Sequence, residues 1–412
     1  NPFFERDYNK CILCGSCVRM CGEVQVVSAV DYAYRGFETK IAAAFDAGLE
    51  DSPCVFCGNC ISVCPVGALT PKQSKGTGRK WEKEKVLTIC PYCGVGCQLY
   101  LEVKDGRVVG VSPADGPANR GLLCVKGRFG LDFIHHPDRL TTPLIKRNGR
   151  FEEASWDEAL TLVAEKLKET VAKDPRLLIW QKGRSKAKSF YDKAFVKASK
   201  AKKIGHGAFC SDAGYRACEY TIGPHGVLHP DFRHTRYILS WGWNITNAGG
   251  NKLCWLTWPQ KLTEARERGV KVVTIDPRLR GASHFADDWL PIRPGTDLAL
   301  ALALCNLLIE QGTIDREYLS KYTNATFLVQ EDGYFFRRDG KEQVWDLGSG
   351  GPQAHDAAGV RPALEGTFTI DGVQVKTAFT VFKEHVAQYT AEWAAEVCGL
   401  SAAAIRRVAR EL

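Results

Sequence analysis

The chain has 412 residues, 45% of them hydrophobic and 25% charged, with a net charge of +8 at pH 7. That length and apolar share are enough for two to four domains with real cores. The basic excess is mild and partly gathered in KQSKGTGRKWEKEK (Lys72–Lys85), a solvated linker, and without a broad basic face carrying aromatics nucleic-acid binding is excluded.

In chain order, the first chemical signal is CILCGSCVRMC, with Cys11, Cys14, Cys17 and Cys21. The second is CVFCGNCISVCP, with Cys54, Cys57, Cys60 and Cys64. Both read C-x2-C-x2-C-x3-C, the two-cluster ferredoxin spacing, in which the fourth cysteine serves the other cluster. The expected sets are therefore Cys11, Cys14, Cys17 with Cys64, and Cys54, Cys57, Cys60 with Cys21. A tight loop brings three thiolates onto one cube, and the fourth comes from a distant segment. Gly15 and Gly58 relieve crowding where the backbone wraps the cluster. Zinc prefers C-x2-C pairs and fits two such repeats poorly. One departure is that Gly22, not proline, follows Cys21.

A third group follows: CPYCGVGC with Cys90, Cys93 and Cys97, then Cys124 in CVKGRFG. The spacing C-x2-C-x3-C-x26-C suits a third [4Fe–4S] cluster or, on spacing alone, a zinc ribbon. CPYCGVGC, NRGLLCVKGRFGLDFIHHPDRLTTPLI (Asn119–Ile145) and SWDEAL (Ser155–Leu160) together resemble the catalytic subunits of molybdopterin oxidoreductases. Among these the chain is most similar to cytoplasmic formate dehydrogenase alpha subunits, which carry the same ferredoxin-like segment upstream. The resemblance implies a [4Fe–4S] cluster at the third group. It also implies bis-molybdopterin guanine dinucleotide with Mo or W, and a cytoplasmic location. It places Lys126 between the third cluster and the pterin, on the electron path.

From Phe151 the pattern changes to alternating helices and short apolar runs. Ser155 is the expected N-cap of a helix over Ala154–Asp174, with Ala159, Leu160, Val163, Ala164 and Leu167 on one face. RLLIW (Arg176–Trp180) reads as a buried strand. Further strands are expected at RYILSWGWN (Arg236–Asn244), KVVTIDPR (Lys271–Arg278) and WLPIRPGTD (Trp289–Asp297). A helical stretch, Leu256–Arg268, separates the first two of these, so the sheet should be parallel. Ligands of such sheets bind beyond the carboxyl ends of the strands. The resemblance assigns Gly242, Asn244, Asp276, Gly295 and Asp297 there to the guanine dinucleotide tails. A helix Leu298–Gln311 follows; Gln330–Thr377 reads as a hairpin-rich surface lobe, and LSAAAIRRVAREL as a terminal helix. No G-x-G-x-x-G or P-loop occurs, which argues against NAD or ATP binding in this stretch.

Cys210, in GHGAFCSDAGY before a helix, belongs to none of the three cysteine groups. The resemblance makes it the protein ligand of Mo or W. A soft anionic sulfur suits such a metal, and a helix N-terminus lowers a thiol pKa. Cys218 is the rival; Cys254, Cys305 and Cys398 sit in apolar contexts and read as core. Formate dehydrogenases usually have histidine straight after the metal-binding cysteine, and here Ser211 stands there. His206 is the candidate to take over that proton. The loop is closer to polysulfide- and thiosulfate-reductase-like members.

The expected fold class is α/β, DMSO-reductase-like in its doubly wound pterin-binding part. The expected domains are a two-[4Fe–4S] ferredoxin-like domain over 1–75, a small [4Fe–4S] domain over 86–145, and α/β molybdopterin-binding domains over 146–412 with an inserted lobe at about 330–377. The expected function is formate oxidation to CO2, or its reverse. Electrons are exchanged with a partner subunit, either a flavin NADH module or a ferredoxin. The alternatives are a polysulfide- or thiosulfate-type reductase and an electron conduit lacking the pterin. Both chain ends read as cut. The family's final domain, which closes over the pterins, is expected on a missing segment or another polypeptide. No apolar run reaches the ~18 residues of a membrane-spanning helix, and no secretory signal is recognisable.

Overall fold

The two cysteine repeats adopt the same local backbone. Leu13 and Gly15 have φ of 54° and 71°; Phe56 and Gly58, their counterparts, have 53° and 69°. Left-handed residues interleaved this way turn backbone N–H groups into a concavity that suits anions and iron–sulfur centres. Strand β1 (Phe4–Arg6) opens the segment. One turn of helix follows each glycine, α1 (Ser16–Arg19) and α2 (Asn59–Ser62). Strand β2 (Leu69–Pro71) closes the segment antiparallel to β1, with Phe4 opposite Pro71. Phe3 and Phe4 stack on Phe129 at 5.1 and 6.4 Å between ring centroids.

Next comes an antiparallel meander of β3 (Glu84–Ile89), β4 (Gln98–Lys104) and β5 (Arg107–Pro113). Asp105 and Gly106, at φ 49° and 72°, make the tight turn between β4 and β5. The short helix α3 (Val125–Phe129) has Cys124 as its N-cap. A hairpin, Leu144–Arg147 with Arg150–Glu153, precedes α4 (Trp156–Lys173). Ser155 caps α4 as expected, its Oγ accepting from the Glu158 N–H at 3.1 Å.

The structure, a computed structural model, describes residues 1–181, 189–205, 212–224, 230–243, 258–279 and 286–412. Two compact units result: Asn1–Cys210 with Asn244–Arg268, and Ser211–Trp243 with Gly269–Leu412. RLLIW differs from expectation. Pro175–Leu177 form a 3-10 turn and only Ile179–Gln181 are extended, paired parallel with Lys202–Ile204, with Ile179 56% exposed. The reason is local: Asp174 accepts the Arg176 N–H at 2.9 Å and Pro175 starts the turn, so Arg176 and Leu177 are drawn out of the strand.

The second unit is built on a parallel sheet of β6 (Tyr237–Trp241), β7 (Lys271–Ile275) and β8 (Asp288–Leu290). The order is β6-β7-β8, with Trp241 opposite Ile275 and Ile275 opposite Leu290. A helix, Trp258–Glu267, lies between β6 and β7 in the chain, where a crossover helix is expected. Val272, Val273, Thr274 and Ile275 are all buried, which is why β7 reads as a continuous apolar run rather than an alternating one. Helix α5 (Asp297–Gln311) buries Leu300, Ala303, Leu304 and Leu307, an i, i+3, i+4, i+7 stripe. It packs with α6 (Ala391–Cys398) and α7 (Ala402–Glu411), and Cys398 is fully buried in that core. The Asp339-Gly340 and Asp371-Gly372 pairs, all at positive φ, turn two hairpins in the segment 328–377. Among the described residues no single helix is long and apolar enough to cross a membrane.

Candidate metal centres

Cys11, Cys14, Cys17 and Cys64 line one cavity, together with Leu13 and Gly15. Cys21, Cys54, Cys57 and Cys60 line a second, with Gly58, Asn59 and Gln25. The chain thus crosses over: the fourth cysteine of each repeat joins the other repeat's three. Backbone N–H groups face two of these sulfurs, Ala29 to Cys21 Sγ at 3.3 Å and Phe56 to Cys54 Sγ at 3.4 Å. Burial pushes the thiols of Cys17, Cys21, Cys54 and Cys60 up, and that of Cys57 up to about 12. Cys14 is the exception: it is exposed, and the Ser16 hydroxyl beside it lowers its thiol. Buried neutral thiols release protons when a cationic group binds them, so burial and ligation are coupled.

In the third group, Cys90 and Cys97 are buried, Cys124 half-buried and Cys93 exposed. Cys90 N–H donates to the Cys97 carbonyl at 2.9 Å, which closes the CPYCGVGC loop between β3 and β4. The Gly127 N–H donates to Cys124 Sγ at 3.5 Å from the first turn of α3. Cys90, Cys97 and Cys124 meet around Leu99, Leu122 and Leu123. Lys126 is exposed on α3, two residues beyond Cys124. No three cysteine, histidine or acidic side chains among the described residues come close enough for one metal ion. A four-iron cube is larger than an ion and holds its thiolates farther apart, and cavities each lined by four cysteines suit it.

Fully buried Asn119 positions the loop that leads to Cys124. Its Nδ2 donates to the carbonyls of Gln98, Ala114 and Leu122 at 3.1, 2.9 and 3.0 Å, and its Oδ1 accepts from the Gln98 N–H at 2.9 Å. Asn119→Asp would turn a carboxylate toward three carbonyls. The expected result is a loss of about 3 kcal/mol or more, with depleted iron at the third site alone. Thermal unfolding and iron analysis of the variant check it.

Sequence reasoning missed the polar cluster at the second cavity. Arg128, 5% exposed, donates through Nε to the Cys57 carbonyl at 2.9 Å and through Nη2 to Asn59 Oδ1 at 3.0 Å. The Leu123 N–H also donates to Asn59 Oδ1, at 3.1 Å, and Asn59 Nδ2 donates to Gln25 Oε1 at 2.9 Å. Gly58 makes room for this: a Cβ there would come within 2.8 Å of the Phe129 ring. Burial lowers the Arg128 guanidinium, while the neighbouring Cys57, Cys60 and Cys124 side chains act against that. The signal was present in CGN, EVQ and CVKGR, where amide and guanidinium side chains lie within four residues of a cysteine.

In the second unit, Gly242 and Asp276 follow β6 and β7 at the carboxyl edge of the sheet. Gly242, at φ 62°, donates its N–H to the Ile275 carbonyl at 2.8 Å. Asp276 Oδ1 accepts the Arg278 N–H at 2.8 Å, and its carbonyl accepts from Trp289 Nε1 at 2.7 Å. Gly295, at φ 81°, leads into α5, and Asp297 accepts from Trp241 Nε1 at 2.7 Å, so it too reaches this edge. Gly242, Asp276 and Asp297 therefore share one edge, and Gly295 lies two residues before Asp297 in the chain. Asn244, His206, Cys210, Ser211 and Cys254 lie outside the described residues. Cys218 is half-buried on the helix Asp212–Ile222.

Three families match successive stretches of the chain. Residues 1–70 match the ferredoxin-like domain of NADH-quinone oxidoreductase subunit 3, residues 83–136 the molybdopterin oxidoreductase Fe4S4 domain, and residues 139–392 molybdopterin oxidoreductase. A sulfite dehydrogenase polypeptide of Allochromatium vinosum is 32% identical over 79% of this chain and 36% of its own length. The alpha subunit of F420-dependent formate dehydrogenase 2 from Methanococcus maripaludis is 34% identical over 59% of this chain and 36% of its own. The chain thus spans just over a third of the length of these curated relatives. Among solved structures, acetylene hydratase from Pelobacter acetylenicus superposes with a TM-score of 0.57 over 79% of this chain and 38% of its own, at 24% identity, a likeness of fold alone.

Proposed function

The chain belongs to the molybdopterin oxidoreductase family, and from that premise we propose that it is the iron–sulfur and pterin-binding part of a subunit that oxidises formate to CO2 or runs the reverse. The observation that carries this reading is the pair of four-cysteine cavities joined to a third cysteine group in one unit. An eight-cysteine ferredoxin segment upstream of the family's Fe4S4 domain is the arrangement of the formate dehydrogenase alpha subunits that the chain resembles. The formate dehydrogenase relative at 34% identity supports the same substrate.

In this reading Cys11, Cys14, Cys17 and Cys64 hold one [4Fe–4S] cluster, Cys21, Cys54, Cys57 and Cys60 a second, and Cys90, Cys93, Cys97 and Cys124 a third. A Mo or W centre on two pterin dithiolenes, when bound, supplies the two-electron couple that formate oxidation needs. Cys210 contributes a soft thiolate to that metal. His206 holds the proton released as formate becomes CO2, in place of the histidine that Ser211 replaces. Lys126 presents a cation next to the Cys124 site, which favours the more negative, reduced state there. Gly242, Asn244, Asp276, Gly295 and Asp297 grip the nucleotide tails at the sheet edge. The partners are an electron acceptor, either a flavin NADH module or a ferredoxin, and a segment or polypeptide that closes over the pterins.

A second reading has two observations in its favour. Ser211 after Cys210 and the sulfite dehydrogenase relative at 32% identity both point to a sulfur oxyanion as substrate. Metal analysis and turnover separate the readings. The expected result is about twelve irons per chain, four for each cluster, one Mo or W, and formate-dependent viologen reduction. Turnover of sulfite or thiosulfate without formate would favour the second reading. Twelve irons with neither Mo nor W would make the chain an electron conduit.

A further inference from the structure

The second cavity holds a buried donor with no partner. Gln25 is 1% exposed and lines the cavity beside Cys21, Cys54, Cys57 and Cys60. Its Nε2 has no hydrogen-bond partner, whereas its Oε1 accepts from Asn59. Leaving a buried amide N–H unmade costs about 1–3 kcal/mol, so an unpaired one calls for a ligand.

The orientation of that amide is determined step by step. A guanidinium only donates, so the Asn59 atom facing Arg128 must be the oxygen. The Leu123 N–H, donating to the same oxygen, imposes the same choice. Asn59 must then turn its NH2 to Gln25, and Gln25 must meet it with its oxygen. What remains is the Gln25 NH2, unpaired on a residue that lines the same cavity as the four cysteines. Backbone N–H donors already face Cys21 and Cys54, so an amide donor extends the same pattern.

We propose that Gln25 donates an N–H···S hydrogen bond to the cluster held by Cys21, Cys54, Cys57 and Cys60, and that Arg128, acting through Asn59, is the positioning residue that points it there. Hydrogen bonds to cluster sulfurs and nearby positive charge both favour the reduced, more negative cluster, and so raise its potential. Gln25 thereby distinguishes the second cluster from the first, whose cavity lining contains no side-chain amide among the described residues. The inference rests on the three-cluster reading of the proposed function.

The test is a redox titration of the natively purified complex, followed by electron paramagnetic resonance. Wild-type iron content decides the three-cluster reading on its own. With that established, Gln25→Leu should lower the reduced-to-oxidised ratio of one cluster about tenfold at fixed potential, a shift of about 59 mV for one electron. The other two signals stay put. Arg128→Met shifts the same signal in the same direction, and Arg128→Lys, which keeps the charge, restores part of it. Unchanged midpoints in Gln25→Leu at full iron content overturn the proposal. If that variant loses the cluster, the wild type labelled with ¹⁵N in glutamine side chains decides instead. A ¹⁵N coupling on the second reduced cluster supports the hydrogen bond, and no coupling overturns it.

Discussion

Cys60→Ala is expected to lower the iron content of the purified complex from about twelve to about eight per chain and to abolish one of three reduced-cluster signals. Cys60 lies on α2 beside Asn59 and lines the second cavity. Cys60 is half-buried, and burial together with the nearby Cys57, Cys21 and Cys54 sulfurs pushes its thiol up. Alanine leaves three thiolates in a cavity shaped for four. The Cys11/Cys14/Cys17/Cys64 cavity uses none of these residues, so its signal should survive. Reduction of the physiological acceptor should fall to background while a small viologen dye still reacts. Iron analysis with low-temperature resonance spectra checks the outcome. Loss of all three signals would mean that the cavities fold as one unit and that Cys60 acts on stability.

Cys210→Ala is expected to do the reverse: iron stays near twelve per chain, and formate-dependent dye reduction drops by roughly 10³-fold or more, the scale for removing a group that acts at the reacting centre. Cys210 precedes the helix Asp212–Ile222 in the chain, and a thiol at a helix N-terminus is more readily a thiolate. Serine at this place offers a harder oxygen, so Cys210→Ser should retain more metal than activity. Parallel assays of Mo, W and turnover separate the two effects. Full activity in Cys210→Ala, with loss in Cys218→Ala, would transfer the ligand role to Cys218.

Much of this was legible because cysteine spacing is a strong constraint. A C-x2-C-x2-C-x3-C run can wrap a cluster in few ways, and the two cavities pair the repeats as that spacing demands. The parallel order of β6, β7 and β8 was legible from strand, helix, strand succession, and the Asp-Gly hairpins from turn chemistry. RLLIW was not, because composition shows an apolar run but not that Asp174 and Pro175 take its first residues into a turn. The apolar stripe of α4 was legible as a pattern, yet Leu160 and Val163 remain 59% and 54% exposed. Periodicity reports which face is apolar, not what covers it.

The sequence by itself determined how the cysteines group and which family the chain belongs to, since these depend on residue identity and short spacings. Only the tertiary structure decided that Arg128, from the Fe4S4 segment, reaches the Cys57 carbonyl of the ferredoxin segment, 71 residues away. Only it decided that Asn59 and Gln25 pass that orientation to the second cavity. That these distant side chains meet at all depends on packing, here on the missing Cβ of Gly58, which leaves room for Arg128 and the Phe129 ring. No local propensity encodes such a contact, because its two halves meet only once both segments have folded.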